Sequence, residues 1–167
     1  MKCCLDVDYR ADHALAAGLL FAEWGDATPT QELVARIDQI EPYVPGQFYR
    51  RELPCLLAVL AKAPLPVDLI VVDGYVWLDG AGKPGLGAHL YTALGEQIPV
   101  IGVAKKPFHS AAAEEVRRAG ADKPLYVTAV GVALPEAAAA IARMHGAYRI
   151  PTLLKQVDHL CRQTNLP

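Results

Sequence analysis

Several features are missing from this 167-residue chain, and each absence removes a class of function. Its four cysteines, Cys3, Cys4, Cys55 and Cys161, form no Cys-x-x-Cys pair, and three lie in apolar or helical patterns. That distribution reads as buried structural thiols in a reducing compartment, not as a zinc or disulfide scaffold. Positive charge is not in excess. Lys and Arg number 16 against 18 Asp and Glu, a formal charge of −2, which offers nucleic acid no bulk attraction and argues against a tight, non-specific DNA binder. No apolar run reaches the roughly 18 residues of a membrane span, and Met1 opens into a strand-like segment with no cationic and apolar leader. The expected setting is therefore cytoplasmic, with no membrane contact. No repeat, low-complexity tract or linker divides the chain, and the Ala-rich 111–113 and 137–140 stretches read as helix filler. At 53% apolar and 20% charged, residues 1–167 are expected to form one globular domain with a substantial core.

What is present is a set of three separated acids: Asp6 in Cys-Leu-Asp-Val-Asp-Tyr, Glu52 in Arg-Arg-Glu-Leu-Pro, and Asp73 in Leu-Ile-Val-Val-Asp-Gly. Asp6 and Asp73 each end a short apolar run that reads as a buried strand, and Glu52 opens a helical pattern. Carboxylates at the C-terminal ends of neighbouring strands point into the crevice where open α/β sheets bind ligands. Three hard oxygen donors there suit Mg²⁺ or Mn²⁺ better than Zn²⁺, and the chemistry they suggest is metal-assisted phosphoryl transfer.

Patterning predicts strands over Met1–Tyr9 and His13–Trp24 joined by a polar turn. A third antiparallel strand follows through Leu33, Ala35, Ile37 and Ile40, where Gln31 to Ile40 also supports a helix and topology favours the strand. Pro42 to Gly46 reads as a rigid loop, and Glu52 to Ala63 as a helix with Leu53, Leu56, Leu57 and Leu60 at helical spacing. The near-continuous aliphatic run 68–73 has the composition of a parallel strand covered on both faces. A Gly-rich segment to Gly87 leads into a helix through His89, Leu90 and Leu94, and Pro99–Ala104 is a further buried strand. Beyond it the chain predicts a helix capped by Ser110 and running to Ala119, a strand over Pro124–Thr128, and helices over Pro135–His145 and Pro151–Gln163. Three successive strands followed by alternating strand and helix point to a mixed sheet with helices on both faces.

Four ordered motifs resemble the endonuclease V family: Leu5-Asp6-Val7, Pro42-Tyr43-Val44-Pro45-Gly46 followed by Arg51-Glu52, Val72-Asp73-Gly74, and Ile101-Gly102-Val103-Ala104-Lys105-Lys106. The tail Gly146-Ala-Tyr148-Arg149-Ile150-Pro151 followed by Asp158 is similar to that family too. The resemblance covers most of the chain. It implies an α/β, ribonuclease H-like mixed sheet of strand order 3-2-1-4-5 with helices on both faces. It also implies cleavage 3′ to a deaminated purine such as inosine, in DNA or RNA, by a monomer using Mg²⁺ or Mn²⁺. By matching position, Asp6, Glu52 and Asp73 look like the metal-binding carboxylates, and Asp158 matches an acidic or histidine position near the metals. Lys105 resembles the active-site lysine beside the scissile phosphate. Tyr43 lies in what resembles the strand-separating wedge, a stiff loop whose aromatic face can stack where a base has been displaced. Pro45, Gly46, Gly74 and His89 complete the expected substrate-binding set.

The chain also departs from the family. Where the family follows Asp-Gly with His-Gly and then a His-Pro-Arg-Arg stretch, residues 75–84 read Tyr-Val-Trp-Leu-Asp-Gly-Ala-Gly-Lys-Pro. The usual N-terminal helical extension is expected to be missing, and the segment between Lys106 and Pro124 is too short for the usual insertion. The rival reading is a diverged, weakly active or non-catalytic member that binds nucleic acid or a nucleotide. A small α/β ligand-binding protein is a further option, but it leaves the motif series unexplained. Single residues keep bland alternatives: Asp6 as a turn cap, Asp8 as a solvated acid at the rim, Tyr43 as loop packing, Lys105 as a solvated strand-exit lysine. His89 is a ligand, a base or a hydrogen-bonded core histidine. His109 and His145 read as surface residues, and Tyr75 and Trp77 as either loop cover or a stacking platform.

Overall fold

The computed structural model describes residues 1–108 and 111–166. Its strands are β1 (Lys2–Tyr9), β2 (Ala14–Phe21), β3 (Gln31–Ile37), β4 (Leu69–Asp73), β5 (Val100–Ala104), β6 (Glu114–Val116) and β7 (Leu125–Val130). The helices are α1 (Tyr49–Leu60), α2 (Leu86–Ala93), α3 (Leu134–Ala142) and α4 (Thr152–Gln163). All seven strands form one sheet in the order β3-β2-β1-β4-β5-β7-β6. The expected 3-2-1-4-5 order is therefore present, and β7 and β6 extend it at the β5 edge. The β3-β2-β1 meander is antiparallel, β1, β4 and β5 are mutually parallel, and β7 runs antiparallel to both β5 and β6.

Side-chain alternation explains the two layers, because successive residues of a strand face opposite ways. Cys3, Leu5, Ile70 and Val72 point to one face, which α1 and α2 cover with Cys55, Leu56, Val59 and Leu90. Cys4, Val71, Ile101 and Val103 point to the other, covered from α3 and α4 by Ile141, Leu153, Val157 and Cys161. The four cysteines are free thiols buried in these layers. In β3, Leu33 and Ala35 are buried between more exposed neighbours, so the period-two reading of this ambiguous segment holds. Helix α1 begins at Tyr49, earlier than the expected Glu52, and closes at Leu60.

The expected helix from Ser110 to Ala119 is not what the described residues form. Glu114–Val116 is a short edge strand paired with β7, with Val116 buried and both glutamates exposed. The reason is physical: apart from alanines this segment has no apolar stripe at helical spacing. Ala119 and Gly120 take positive φ of 48° and 68° and turn the chain back into β7. Ser110 and His109 lie outside the described residues. Among the described residues, no helix is long and apolar enough to cross a membrane.

Candidate active site

The sheet register brings the first two acids together. Parallel pairing of β1 with β4 runs from Lys2 opposite Leu69 to Leu5 opposite Val72, so Asp6 and Asp73 occupy the next shared level, where that pairing stops while β1 continues beside β2. By alternation both side chains face the α4 layer. Asp158 approaches from α4 on that side, while Glu52, only 7% exposed, approaches from α1 in the opposite layer. The start of α1 is fixed by the Arg51 guanidinium, which lies 4.0 Å from the centroid of the Tyr9 ring at the end of β1. Lys105 directly follows β5, whose last residue Ala104 pairs with β7, and donates from Nζ to Asp73 Oδ2 at 2.9 Å.

Burial sets the electrostatics. It pushes the Asp6 carboxyl up from 3.8 to about 7, with the Asp73 and Asp158 charges adding to the rise while the Val7 N–H and Lys105 oppose it. Burial likewise lifts Glu52 to about 8, helped by the charges of Asp6 and Asp73. For Lys105 burial pulls downward, but the hydrogen bond and charge of Asp73, with Asp6 and Asp158, more than offset it and hold the ammonium charged. Asp158 is itself tied to Arg162, one helical turn on, at 2.7 Å. As placed, no three acid, imidazole or thiol groups among the described residues stand close enough to share one ion. Asp73 has an ammonium as its nearest partner instead.

Beside Asp73 opens a cavity of about 620 Å³, walled by Phe48, Tyr49, Tyr75, His89 and Phe108, with Gly46 and Gly74 where the backbone approaches. The loop leading to it is a turn in which Gln47 N–H donates to the Val44 carbonyl at 3.0 Å. Pro45 and Gly46 are its central residues, and φ of +79° at Gly46 is the left-handed value that a type II turn reserves for glycine. Tyr43, just before this turn, is 61% exposed. Across the cavity the Gly-rich segment is pinned by Val76 N–H to Thr128 Oγ1 at 2.8 Å, and its tip by Asp79 Oδ1, which accepts from the N–H of Ala81 and Lys83. Gly102 has a steric reason to be glycine: an added Cβ would sit 2.6 Å from the Gly74 carbonyl oxygen.

His89 stacks on Tyr49, ring centroids 3.5 Å apart and 13° from coplanar, and burial lowers its pKa. Tyr75 forms a wall, its hydroxyl donating to the Lys106 carbonyl at 2.6 Å, whereas Trp77 is cover, its indole N–H donating to the Ala129 carbonyl. Asp8 pairs with Arg10 at 3.2 Å, and exposed His145 contacts Thr152 Oγ1. Sequence reasoning missed Tyr49 and Phe48, although two aromatics directly after a Pro-Gly turn were a readable signal. It also missed the support given by Arg149, which donates to the carbonyls of Lys105 and Pro124 and so holds the backbone beneath the lysine.

Comparison with known proteins meets this geometry. The family model for endonuclease V matches residues 3–144. Endonuclease V of Streptomyces coelicolor is 40% identical, over 95% of this chain and 76% of its own length. The crystal structure of endonuclease V from Streptomyces avermitilis has a TM-score of 0.77 at 34% identity, covering 96% of this chain and 79% of that one. Ciona intestinalis endonuclease V, solved with a 24mer DNA containing an inosine followed by a ribo-adenosine, shares the fold at a TM-score of 0.79 and 20% identity, over 97% of this chain and 84% of its own. Acids side by side where the pairing of β1 with β4 stops, a proline-bracketed turn beside them and a family match spanning most of the chain lead to one assignment: the chain belongs to the endonuclease V family.

Proposed function

We propose that this chain is a divalent-metal-dependent endonuclease that hydrolyses the phosphodiester backbone on the 3′ side of a deaminated purine, inosine, in DNA or RNA. The observation that carries this reading is that Asp6, Glu52 and Asp73 lie near enough to act on one another's charges, with Lys105 bonded to Asp73, beside an aromatic-walled cavity. The donor set fits a hard cation. All its atoms are carboxylate oxygens, and two of the acids are held toward their neutral form by burial and mutual repulsion, a cost that a divalent charge would offset. Asp6, Glu52 and Asp73 would hold Mg²⁺ or Mn²⁺, with Asp158 close by. Such an ion, when bound, neutralises phosphate charge and lowers the pKa of a coordinated water.

The chain's own groups supply the rest. Lys105 Nζ, held beside Asp73 by one hydrogen bond, can turn to a phosphate oxygen and neutralise charge that grows during in-line attack. Water gives up a proton as its oxygen bonds to phosphorus, the bond to the 3′ oxygen breaks, and that oxygen takes up a proton, leaving 3′-hydroxyl and 5′-phosphate ends. The cavity walls offer flat faces for an extruded base, and exposed Tyr43, just before the stiff turn, would fill the gap it leaves. The family's inosine-bearing DNA complex from Ciona supports nucleic acid as the partner. To test the ligand set, Mn²⁺ titrated into the protein is followed through the loss of its free-ion EPR signal. Asp73→Ala should abolish both binding and cleavage, whereas cleavage that survives in Asp73→Ala would remove these acids from the reaction.

A further inference from the structure

The Asp73–Lys105 ion pair joins two concavities, since Asp73 lines the aromatic cavity and Lys105 lines a second groove on the α4 side. This second groove is about 240 Å³, with Tyr148, Ile150, Leu154 and Lys155 along it. Tyr148 is 76% exposed, the most open of the large hydrophobic side chains, and its ring makes no aromatic or cation contact among the described residues. Its backbone, by contrast, is clamped. The Tyr148 carbonyl accepts from Arg118 Nε at 3.3 Å, and the adjoining Arg149 side chain bonds the Pro124 and Lys105 carbonyls.

Arg118 is unusually committed to this task. It is only 4% exposed, and its other guanidinium nitrogens donate to the carbonyls of Ile141, Met144 and Gly146, closing the end of α3. A buried arginine and a second arginine thus fix one short connection whose large outward side chain is an unpacked tyrosine. Rigid exposed aromatics with little conformational freedom to lose are what recognition surfaces use as anchors. Lys155, exposed in the first turns of α4, forms no ion pair among the described residues. Asp158, the acid that also lines the groove, is occupied by Arg162 at 2.7 Å and so presents less repulsion to an anion.

We propose that this groove is a subsite for the nucleotide lying beyond the scissile phosphate from the recognised base, with Tyr148 stacking on its base and Lys155 contacting its phosphate. The proposal rests on the endonuclease reading above and adds to it a required length of strand past the cut. An aromatic platform next to a free cation is the combination that holds single-stranded nucleic acid with little sequence preference. Recognition is then shared across the cut: the aromatic cavity reads the altered base, and the second groove holds the outgoing strand in line with Lys105.

The test uses the full chain and labelled single-stranded inosine oligonucleotides, with binding read by fluorescence anisotropy and cleavage by gel. One oligonucleotide is intact, and a second carries an abasic residue just past the cut. Tyr148→Ala should weaken binding to the intact strand about 5- to 150-fold, the span of one lost base–aromatic stack, and should raise KM with kcat nearly unchanged. On the abasic strand the same substitution should have little effect, and Tyr148→Phe should behave as wild type on both. Lys155→Ala should reduce the salt dependence of binding by roughly one phosphate contact. Equal losses on the intact and abasic strands, or no loss on either, would overturn the subsite. Binding that depends on Tyr148 without any cleavage by wild type would instead uphold the groove and defeat the nuclease reading.

Discussion

Replacing Asp6 by asparagine should stabilise the metal-free protein, and the gain should appear only as pH rises. The folded-state carboxyl lies at about 7 against an ordinary value of 3.8, chiefly because it is buried. Below the ordinary value both folded and unfolded chains hold the proton, and the group is neutral with respect to stability. Between about pH 4 and pH 7 the unfolded chain ionises first, so the folded state is progressively disfavoured, and above the folded pKa the penalty is constant. At about 1.4 kcal/mol per tenfold change in proton affinity the plateau is about 4 kcal/mol. This is an upper limit, because Glu52 ionises in the same range and the two charges share part of the cost. Asparagine keeps the acceptor that Asp6 Oδ1 offers to the Val7 N–H at 2.8 Å, so the exchange removes charge with little change of shape. Urea unfolding of both proteins in EDTA at pH 4, 5.5, 7 and 8.5 reads the effect directly. The curves should nearly coincide at pH 4 and diverge to a difference of about 2–4 kcal/mol at pH 8.5. A difference that is the same at every pH, or a variant less stable at pH 8.5, would refute the electrostatic account of the site.

Other outcomes follow from the same geometry. In wild type, Mn²⁺ should raise the melting temperature more at pH 8 than at pH 5.5, because proposed ligands must lose protons to bind it; calorimetry at both pH values checks this. Tyr43→Ala should lower discrimination between inosine and adenosine strands by roughly 1–3 kcal/mol in kcat/KM without altering Mn²⁺ affinity. Arg118→Ala should cost about 3 kcal/mol in urea unfolding, since several charged hydrogen bonds to the end of α3 are lost together. Arg50 and Lys83 along the aromatic cavity and Lys105 and Lys155 along the second groove give four cations for a bound strand. The slope of log K against log salt on single strands should then be about −3, with perfect duplex bound more weakly. A slope near −6 would reveal phosphate contacts beyond these side chains.

How much of this was readable in advance depends on the range of the interactions involved. Asp6 and Asp73 were legible because each ends an aliphatic run, and the parallel register that sets them level is a consequence of those runs. The turn at Pro45 and Gly46 was legible because proline and glycine act locally. The 110–119 segment was misread because edge pairing with β7 decides it, and its own residues express no strong preference. Tyr49 stacking on His89 joins residues from two helices, and Arg118 reaching the end of α3 crosses from a strand exit to a helix end. No period in the sequence encodes either contact. The family's Arg-Arg stretch is absent over 75–84, while Arg50 lines the cavity beside Asp73 and Lys155 lines the groove beside Asp158, placements that depend on the fold and not on local sequence.

The central claim is metal-dependent cleavage directed by a deaminated purine, and one assay addresses it most directly. Paired single-stranded oligonucleotides, identical except for inosine or adenosine at one position, are incubated with the protein in Mg²⁺, in Mn²⁺ and in EDTA, and the products are sized and their ends identified. The account predicts a single cut 3′ to inosine with 3′-hydroxyl and 5′-phosphate ends, little or no cutting of the adenosine strand, and none in EDTA. Cleavage that persists in EDTA, equal cleavage of both strands, or no cleavage with either ion would contradict it.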